Sequence, residues 1–288
     1  MLIDGKKIAS ILQKELKKSF KKLKNRKKIK LVVFLVGNSP DQLSFVRIKK
    51  KVAKQLKVKF EFVHIKSIPS FESLINQIKT KSFAKEITGV IIQQPLPAQL
   101  QTNSIYDFIP IEKEIEGHRN KTPYTQPLGF AILTILKYIY KQPESKKDLF
   151  IDLSDDSFWL RKKLKGKKII LVGRGITGGR PIGTTLSSAK INYFSIHSQT
   201  PNPENYYLSA DIIITAVGKK HIRPEFLKPG VVLINVGLRK ENGRLKGDYE
   251  EKEIKDIAGF YTPTPGGIGP IDVVYLYKNL LEAAKLQK

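Results

Sequence analysis

The chain has 288 residues, of which 41% are hydrophobic and 27% are charged. At about 150 residues per domain, this length predicts two domains, each large enough to bury its own core. The composition excludes a small disulfide-stapled scaffold and argues against intrinsic disorder. The formal net charge of +26 predicts an acidic partner.

The chain contains no cysteine and only four histidines. Disulfides, a thiolate nucleophile and cysteine-ligated zinc are therefore excluded, and the histidines lack the spacing of a metal site, so we expect no metal. The segment Met1–Lys7 reaches charged residues before any apolar signal-peptide stretch develops. Apolar runs are much shorter than the ~20 residues of a membrane-spanning helix. We expect a cytoplasmic protein without membrane association.

The positive charge is mostly lysine, in runs such as residues 17–22 and 161–163. Charge runs of this kind usually form a solvated surface. Nucleic-acid binding would be indicated by arginine clusters interleaved with aromatic residues, or by a recognisable nucleic-acid module. The sequence shows neither, so nucleic-acid binding is the minority hypothesis.

Helical and strand patterns alternate in the first half of the chain. Apolar residues at helical spacing predict an amphipathic helix over residues 6–24, and the apolar run Leu31–Val36 predicts a strand buried on both faces. The β, α, β, α, β order that follows predicts a parallel sheet, with ligands beyond the carboxyl ends of its strands. After the strand at Leu31–Val36, the predicted elements are a helix through Val46, Ala53 and Leu56, a strand at Phe60–Ile65, a helix at Phe71–Ile78 and a strand at Gly89–Ile92.

The second half of the chain predicts another α/β unit. An apolar helix at Pro127–Tyr140 precedes a polar connector over residues 141–165, which contains the only tryptophan, Trp159. Residues Val273, Leu276 and Leu280 predict a closing helix. The predicted strands are Lys168–Val172, Ile191–Ile196, Ile212–Val217 and Val231–Val236.

A glycine motif, Gly173-x-Gly175-x-x-Gly178, lies between a predicted strand and a predicted helix start. Glycines in this context let the backbone turn tightly and approach a pyrophosphate, whose charge is met by the helix N-terminus. A tight turn with no ligand is the alternative. The next strand ends without the Asp or Glu that binds the ribose 2′-hydroxyl of NAD. Arg174 and Ser198 therefore favour NADP, unless Arg174 is only a surface cation.

Three polar or aromatic residues follow the predicted strands of the first unit. Phe45 and Lys49 are spaced i, i+4 on the second helix and share a face. A lysine held in a cleft can transfer protons, whereas a lysine in a run of three is usually solvated. Gln93 follows a buried strand, where its amide can donate and accept hydrogen bonds, or can simply satisfy a turn.

The segment Tyr261–Pro270 is unusually rich in proline and glycine. Such a segment fixes the path of the backbone and permits close approach of a ligand. A rigid loop that lines a ligand site is favoured over a linker.

The ordered motifs resemble those of the bifunctional methylenetetrahydrofolate dehydrogenase/methenyltetrahydrofolate cyclohydrolase family, over nearly the whole chain. The matching segments are Asp4-Gly5-Lys6, Val36-Gly37, Phe45-Val46-x-x-Lys49, Gly89–Pro97, Gly173-Arg174, His197-Ser198-x-Thr200, Ala210-Asp211-Ile212, Gly247-Asp248 and the Pro-Gly-Gly-x-Gly-Pro run at residues 265–270.

The resemblance implies a two-domain α/β fold closed by a C-terminal helix. An N-terminal α/β folate-binding catalytic domain would take residues 1–121 and 265–288, and a Rossmann-type NADP-binding domain residues 122–264. The implied activity is NADP-dependent oxidation of 5,10-methylenetetrahydrofolate to 5,10-methenyltetrahydrofolate, followed by hydrolysis to 10-formyltetrahydrofolate. Tetrahydrofolate derivatives are the implied partners, and a homodimer is the implied assembly.

The resemblance also assigns roles to individual residues. Lys49 would manage protons, Gln93 would orient Lys49, and Glu116 would bind the pterin. The implied substrate-binding residues are Phe45, Pro265, Gly266, Gly267 and Asp272. The implied cofactor-binding residues are Gly173, Arg174, Gly175, Gly178, His197, Ser198, Thr200, Val217 and Gly218.

Several positions depart from the family pattern. Phe45 replaces a tyrosine, and Glu116 is one methylene longer than the usual aspartate. Gly175, Gly178 and Asp272 stand where the family usually has Ser, Val and Thr. Because Phe45 removes a hydroxyl beside Lys49, one alternative is a dehydrogenase that lacks efficient cyclohydrolase activity. Another is a basic nucleic-acid-binding protein on an enzyme scaffold that has lost its activity.

Overall fold

The computed structural model describes residues 1–23, 28–141 and 146–287, and the chain forms two compact units. The three-stranded unit comprises Gln13–Pro127 and Val273–Lys288, and the five-stranded unit comprises Met1–Leu12 and Leu128–Asp272. Both contain parallel sheets with helices, so the predicted two-domain α/β class and the C-terminal helix are confirmed. The predicted domain bounds stay a prediction.

The sheet of the three-stranded unit has the order β2 (Lys59–Ile65), β1 (Lys30–Val36), β3 (Gly89–Ile92), with both hydrogen-bonded pairs parallel. The central strand β1, Lys30–Val36, is buried from Leu31 onwards because it has a neighbour on each side and an apolar layer on each face. The strands and helices of this part of the chain are α1 (Gly5–Lys22), β1, α2 (Pro40–Leu56), β2 (Lys59–Ile65), α3 (Phe71–Ser82) and β3 (Gly89–Ile92).

The five-stranded unit has a parallel sheet in the order β10 (Phe260–Tyr261), β7 (Val232–Asn235), β6 (Ile212–Thr215), β4 (Ile169–Val172), β5 (Phe194–Ile196). Strands β4, β6 and β7 are entirely buried four-residue runs. The elements from residue 127 onwards are α4 (Pro127–Lys141), α5 (Leu153–Leu164), β4 (Ile169–Val172), α6 (Gly179–Ser188), β5 (Phe194–Ile196), α7 (Pro203–Leu208), β6 (Ile212–Thr215), β7 (Val232–Asn235), β8 (Arg239–Glu241), β9 (Arg244–Lys246), α8 (Glu251–Ile254), β10 (Phe260–Tyr261) and α9 (Ile268–Leu286).

The segment described from the sequence as a polar connector, residues 141–165, contains the helix α5, Leu153–Leu164, which the sequence analysis did not predict. Asp152 caps this helix by accepting a hydrogen bond from the Ser154 N–H at 2.9 Å. Asp156 forms a buried ion pair with Lys137 of α4 at 2.8 Å. Charged residues therefore hold α5 in place, which a search for apolar periodicity overlooks. Residues 142–145 of the predicted connector lie outside the described residues.

The other predicted elements are present with small changes in length. The helix predicted over residues 6–24 spans Gly5–Lys22, and Lys24 lies outside the described residues. The strand predicted at Ile191–Ile196 is confined to Phe194–Ile196. Over the part of the chain that the structure describes, no helix combines the length and apolarity needed to cross a bilayer.

Candidate active site

Lys49 lies on the buried face of helix α2, unlike the two lysines that follow it in the sequence. The buried residues of α2 are Gln42, Val46, Lys49, Ala53 and Leu56, a 4-3-4-3 spacing that places them on one face. Lys50 and Lys51 fall outside this stripe and are exposed. The interpretation of Lys49 as one more solvated lysine is therefore wrong.

Lys49 is held by Gln93. Its ammonium group donates a hydrogen bond of 2.7 Å to Gln93 Oε1, and each of the two residues is only 8% exposed. Gln93 directly follows the buried strand β3, and its backbone N–H donates to the Phe34 carbonyl of β1 at 2.9 Å. Its side-chain Nε2 donates to the Gln94 carbonyl at 2.9 Å. Both polar ends of the Gln93 amide are satisfied, so the Lys49 ammonium has a fixed position.

The C-terminal helix α9 supports α2 at the same point. The hydroxyl of Tyr277, a fully buried residue, donates to the Lys49 carbonyl at 2.7 Å. Burial raises the pKa of this hydroxyl, so it remains a proton donor. The backbone and the side chain of Lys49 are thus each held by a buried hydrogen bond.

Glu116 places a carboxylate close to the Lys49 charge. Its Oε2 atom is buried and has no hydrogen-bond partner among the described residues. Burial raises the pKa of this carboxyl, while the charge of Lys49 and a backbone hydrogen bond at Ile92 act in the opposite direction. A buried oxygen without a partner is an acceptor available to a ligand donor.

His118 and Tyr106 lie beside this carboxylate. The His118 Nε2 atom is 4.0 Å from Glu116 Oε2, and the imidazole stacks on the Tyr106 ring at a centroid distance of 4.3 Å. The Tyr106 hydroxyl accepts a hydrogen bond of 2.9 Å from Gln94 Nε2. An aromatic ring, an imidazole and a carboxylate therefore lie together in the three-stranded unit.

Glu114 organises the loop that carries Glu116, and the sequence analysis missed it. Glu114 is 1% exposed, and its carboxylate accepts backbone hydrogen bonds from Glu116 at 2.9 Å, His118 at 2.8 Å and Arg119 at 3.3 Å. Burial nevertheless raises the pKa of this carboxyl. The Glu-x-Glu-Gly spacing in the sequence could have indicated this role of Glu114, because a second carboxylate before a turn can accept hydrogen bonds from the N–H groups of that turn.

Phe45 is on α2, one turn before Lys49, and is half-buried. The structure thus brings the Phe45 position, Lys49, Gln93 and Glu116 into one compact unit. This group contains a fixed cation, an amide that orients the cation and a carboxylate oxygen without a hydrogen-bond partner among the described residues.

The glycine turn after β4 has the geometry of a close-packed βα turn. Gly173 has φ +103°, and a Cβ there would lie 2.8 Å from the Ala216 carbonyl oxygen. A Cβ on Gly179, the first residue of α6, would overlap the Gly173 carbonyl. Gly178 precedes α6 as its N-cap, whereas a Cβ on Gly175 would meet nothing within 4 Å. The turn therefore requires Gly179, which sequence analysis did not single out, more than Gly175.

The carboxyl end of β5 lies beside this turn, because β4 and β5 are paired. Arg174 Nε donates to Ser195 Oγ at 3.3 Å, so the guanidinium extends toward the end of β5. The segment His197–Thr200 is a turn in which the His197 N–H donates to Thr200 Oγ1 at 3.0 Å. Ser198 is exposed on that turn. A cation and a hydroxyl, with no carboxylate in the turn, fit the 2′-phosphate of NADP.

The loop after β6 carries Val217 and Gly218. The Gly218 backbone has φ +76°, a conformation that favours glycine. The N–H groups of both residues donate to the buried carboxylate of Asp248, at 2.9 Å and 2.8 Å. This loop therefore has a fixed conformation beyond the carboxyl end of its strand.

The Pro265–Gly267 segment packs against the start of the chain. A Cβ on Gly5 would overlap the Gly267 carbonyl, which explains the glycine in the opening Asp4-Gly5-Lys6. Gly266 has φ +111°, where a side chain is strained, and Pro265 is exposed. Asp272 follows on α9 and is half-buried. The predicted substrate-binding residues from 265 onwards thus lie in the five-stranded unit.

Two family models match this chain. Residues 3–116 match the tetrahydrofolate dehydrogenase/cyclohydrolase catalytic domain, and residues 159–288 match the NAD(P)-binding domain of the same family. The chain belongs to the tetrahydrofolate dehydrogenase/cyclohydrolase family. The resemblance recognised from the motifs is confirmed, and the five-stranded unit contains most of the NAD(P)-binding match.

Curated relatives match from end to end. The bifunctional protein FolD of Staphylococcus carnosus is 31% identical over 290 residues, covering 100% of this chain and 98% of that protein. The FolD protein of Staphylococcus aureus is 31% identical over 292 residues, covering 100% of this chain and 97% of that protein. These relatives favour neither the dehydrogenase-only alternative nor the nucleic-acid-binding alternative.

Solved structures of the tetrahydrofolate dehydrogenase/cyclohydrolase family share the fold. A 5,10-methylenetetrahydrofolate dehydrogenase from the silkworm Bombyx mori is 28% identical, with a TM-score of 0.83 and coverage of 100% of this chain and 98% of that chain. The Trypanosoma brucei FolD, solved with NADP cofactor and inhibitor, is 25% identical, with a TM-score of 0.83 and coverage of 99% and 97%.

The described part of the chain contains no group of three or more metal-ligating side chains that could hold a metal ion.

Proposed function

We propose that this chain oxidises 5,10-methylenetetrahydrofolate with NADP and hydrolyses the 5,10-methenyltetrahydrofolate product to 10-formyltetrahydrofolate. The observation that carries the proposal is the buried 2.7 Å hydrogen bond from Lys49 to Gln93, beside a Glu116 carboxylate oxygen without a partner. This arrangement supplies a fixed proton donor and an acceptor for substrate N–H groups.

In the first reaction, a hydride leaves the methylene carbon of the substrate. NADP, when bound, supplies the hydride acceptor. The residues of this chain bind and orient, because hydride transfer depends mainly on the position of the reacting carbon. Glu116 would accept hydrogen bonds from the pterin amino and ring N–H groups, for which its buried Oε2 atom is available.

In the second reaction, water adds to the methenyl carbon, and one carbon–nitrogen bond then breaks to leave the formyl group. The water oxygen becomes the formyl oxygen and gives up both of its protons. One proton goes to the departing ring nitrogen, and the other is released because the methenyl substrate carries a positive charge. The step therefore needs a group that can hold and deliver a proton. Lys49 would do this, and Gln93 would keep its ammonium group in one position through the 2.7 Å hydrogen bond.

The residues of the NAD(P)-binding turn support NADP as the cofactor. The close packing of Gly173 and Gly179 brings the start of α6 against the β4 turn, where the helix N-terminus can meet a pyrophosphate. Arg174 and Ser198 would hold the 2′-phosphate, with His197 and Thr200 forming the supporting turn.

The proposed assembly is a homodimer. Strand β2 is an edge strand with one described neighbour, β1, and it exposes Phe62, whose ring stacks on His64 at 5.2 Å. Exposed edges and aromatic rings of this kind favour pairing. Light scattering on the purified protein would give twice the 32.7 kDa chain mass for a dimer and the chain mass itself for a monomer. A cytoplasmic location stays a prediction.

The test of function is turnover by purified protein. Methylenetetrahydrofolate is offered with NADP or NAD in separate reactions, and methenyl product is followed by absorbance. We expect product with both cofactors and faster formation with NADP. Absence of product with either cofactor, together with salt-sensitive RNA binding, would favour the nucleic-acid-binding alternative instead.

A further inference from the structure

A buried polar network joins the carboxyl ends of three strands in the five-stranded unit. Three of its residues end or follow β6, β7 and β10, the fourth lies after β9, and all four are 3% exposed or less. Polar side chains this deeply buried are costly unless each is hydrogen-bonded. The members are Thr215, Asn235, Asp248 and Thr262.

Asp248 fixes the loop after β6. Its carboxylate accepts hydrogen bonds from Thr215 Oγ1 at 2.6 Å, from the Val217 N–H at 2.9 Å and from the Gly218 N–H at 2.8 Å. Charge-assisted bonds to two consecutive backbone N–H groups define the conformation of the loop. Asp248 itself follows β9 and has no place in the proposed chemistry.

Asn235 links Asp248 to the segment before Pro265. Its Oδ1 atom accepts from the Asp248 N–H at 2.9 Å, and its Nδ2 atom donates to Thr264 Oγ1 at 2.7 Å. The Asn235 backbone N–H donates to Thr262 Oγ1 at 2.8 Å. The one amide thus holds both the Asp248 backbone and the residue that precedes Pro265.

Two glycines leave room for these bonds. A Cβ on Gly237 would overlap the Asp248 carboxylate. A Cβ on Gly247 would lie 2.5 Å from Asn235 Nδ2 and 2.8 Å from Thr264 Oγ1. The backbone at both positions therefore excludes any larger residue while the network is intact.

We propose that Asn235 and Asp248 are positioning residues that couple the conformation of the Val217–Gly218 loop to that of the Pro265–Gly267 segment. The inference deepens the proposed function, on which it rests for the identity of the two ligands. If the first loop contacts NADP and the second contacts folate, binding at either one stabilises the other.

The test breaks the network at Thr264 without touching Val217 or Gly218. Thr264→Val removes the hydroxyl that accepts from Asn235 while keeping the side-chain shape. Thr264→Ser keeps the hydroxyl and is the matched control. The readouts are amide hydrogen exchange at Val217 and Gly218, and the dissociation constants of NADP and of tetrahydrofolate, each measured alone.

Thr264→Val is expected to speed exchange at Val217 and Gly218 and to weaken NADP binding about fivefold or more. Thr264→Ser is expected to match the wild type in both respects. Unchanged exchange and unchanged NADP affinity in Thr264→Val would overturn the proposal. Equal changes in both variants would also overturn it, because the hydroxyl would then not be the cause.

A second variant breaks the network at its other end, and it keeps the proposal testable if Thr264→Val does not fold. Thr215→Val removes the hydroxyl that donates to Asp248, and it is expected to weaken tetrahydrofolate binding. Folate affinity equal to that of the wild type would contradict the coupling. A wild-type protein that binds neither ligand would refute the proposed function, whereas the exchange rates would still decide whether the network couples the two segments.

Discussion

The Lys49 ammonium donates a buried 2.7 Å hydrogen bond to Gln93, a residue 44 positions later that directly follows strand β3. This bond brings the second helix of the chain and the end of a strand to one point. The Lys49 carbonyl is simultaneously held by Tyr277 of α9. The candidate active site thus rests on three elements that are distant in sequence.

Replacement of Lys49 tests its role in hydrolysis. Lys49→Met keeps the apolar stem and removes the proton carrier, so the hydrolysis rate of methenyltetrahydrofolate is expected to fall by roughly 10² or more. Lys50→Met, at the exposed neighbouring position, is the control and should keep the wild-type rate. The measurement is the decay of methenyl absorbance at a fixed protein concentration. A wild-type rate in Lys49→Met would refute the assigned role.

Phe45 offers a gain-of-function test. Phe45→Tyr places a hydroxyl one helical turn from Lys49, and one new hydrogen bond of about 1.4 kcal/mol in the transition state would raise the hydrolysis rate about tenfold. The dehydrogenase rate is the internal control and should stay within twofold. If hydrolysis does not change, the absent hydroxyl does not limit this enzyme.

Replacing the buried carboxyl of Glu116 with a neutral group is expected to raise the free energy of unfolding, by an amount that depends on pH. Because the fold raises the pKa of this carboxyl above its ordinary value of 4.5, the native state holds this proton more tightly than the unfolded chain. The stability due to that proton is therefore fully present below pH 4.5 and is lost as the pH rises through the raised value.

Glu116→Gln removes the ionisation, so we expect a higher free energy of unfolding than that of the wild type at pH 7 and a difference that shrinks toward pH 4. Urea denaturation at the two pH values measures it, with the exposed Glu86→Gln as control. Folate binding should weaken in Glu116→Gln, as expected for a site that sacrifices stability for function. A lower stability at pH 7 than that of the wild type would contradict this account.

The glycine turn predicts opposite outcomes at two neighbouring glycines. Gly179→Ala forces a Cβ against the Gly173 carbonyl and is expected to cost about 2 kcal/mol or more, with loss of NADP binding. Gly175→Ala meets no atom within 4 Å and should keep the wild-type melting temperature. Thermal denaturation of the two variants compares them directly, and equal melting temperatures would show that the close packing at α6 is not required.

Arg174 tests the preference for NADP. Arg174→Ala removes the guanidinium that extends toward the end of β5, and a charge-assisted hydrogen bond of about 1.5–3 kcal/mol corresponds to roughly tenfold to hundredfold weaker NADP binding. NAD binding should hardly change, because NAD lacks the 2′-phosphate. Arg244→Ala, at an exposed arginine on β9, is the control. Equal losses for NADP and NAD would contradict a 2′-phosphate contact.

Most of the fold could be predicted from the sequence, because buried parallel strands are short continuous apolar runs, as in β1 and β3. Lys49 was also accessible from the sequence, since its spacing from Val46 and Ala53 places it on the buried stripe of α2. The roles of Glu114 and Asp248 were not assigned, although the Glu-x-Glu-Gly spacing and the Gly247-Asp248 match mark both positions. Each residue acts by accepting backbone N–H groups of a loop whose path depends on contacts distant in sequence. Helix α5 was missed because charged residues cap and anchor it.

The most direct measurement is a single progress curve for methenyl absorbance, with wild-type protein, methylenetetrahydrofolate and NADP. We expect methenyl product to appear when protein and NADP are both present and not when either is left out of this reaction, and then to decay faster than it does in buffer. Appearance without accelerated decay would leave a dehydrogenase alone. No appearance with either NADP or NAD would contradict the proposed function.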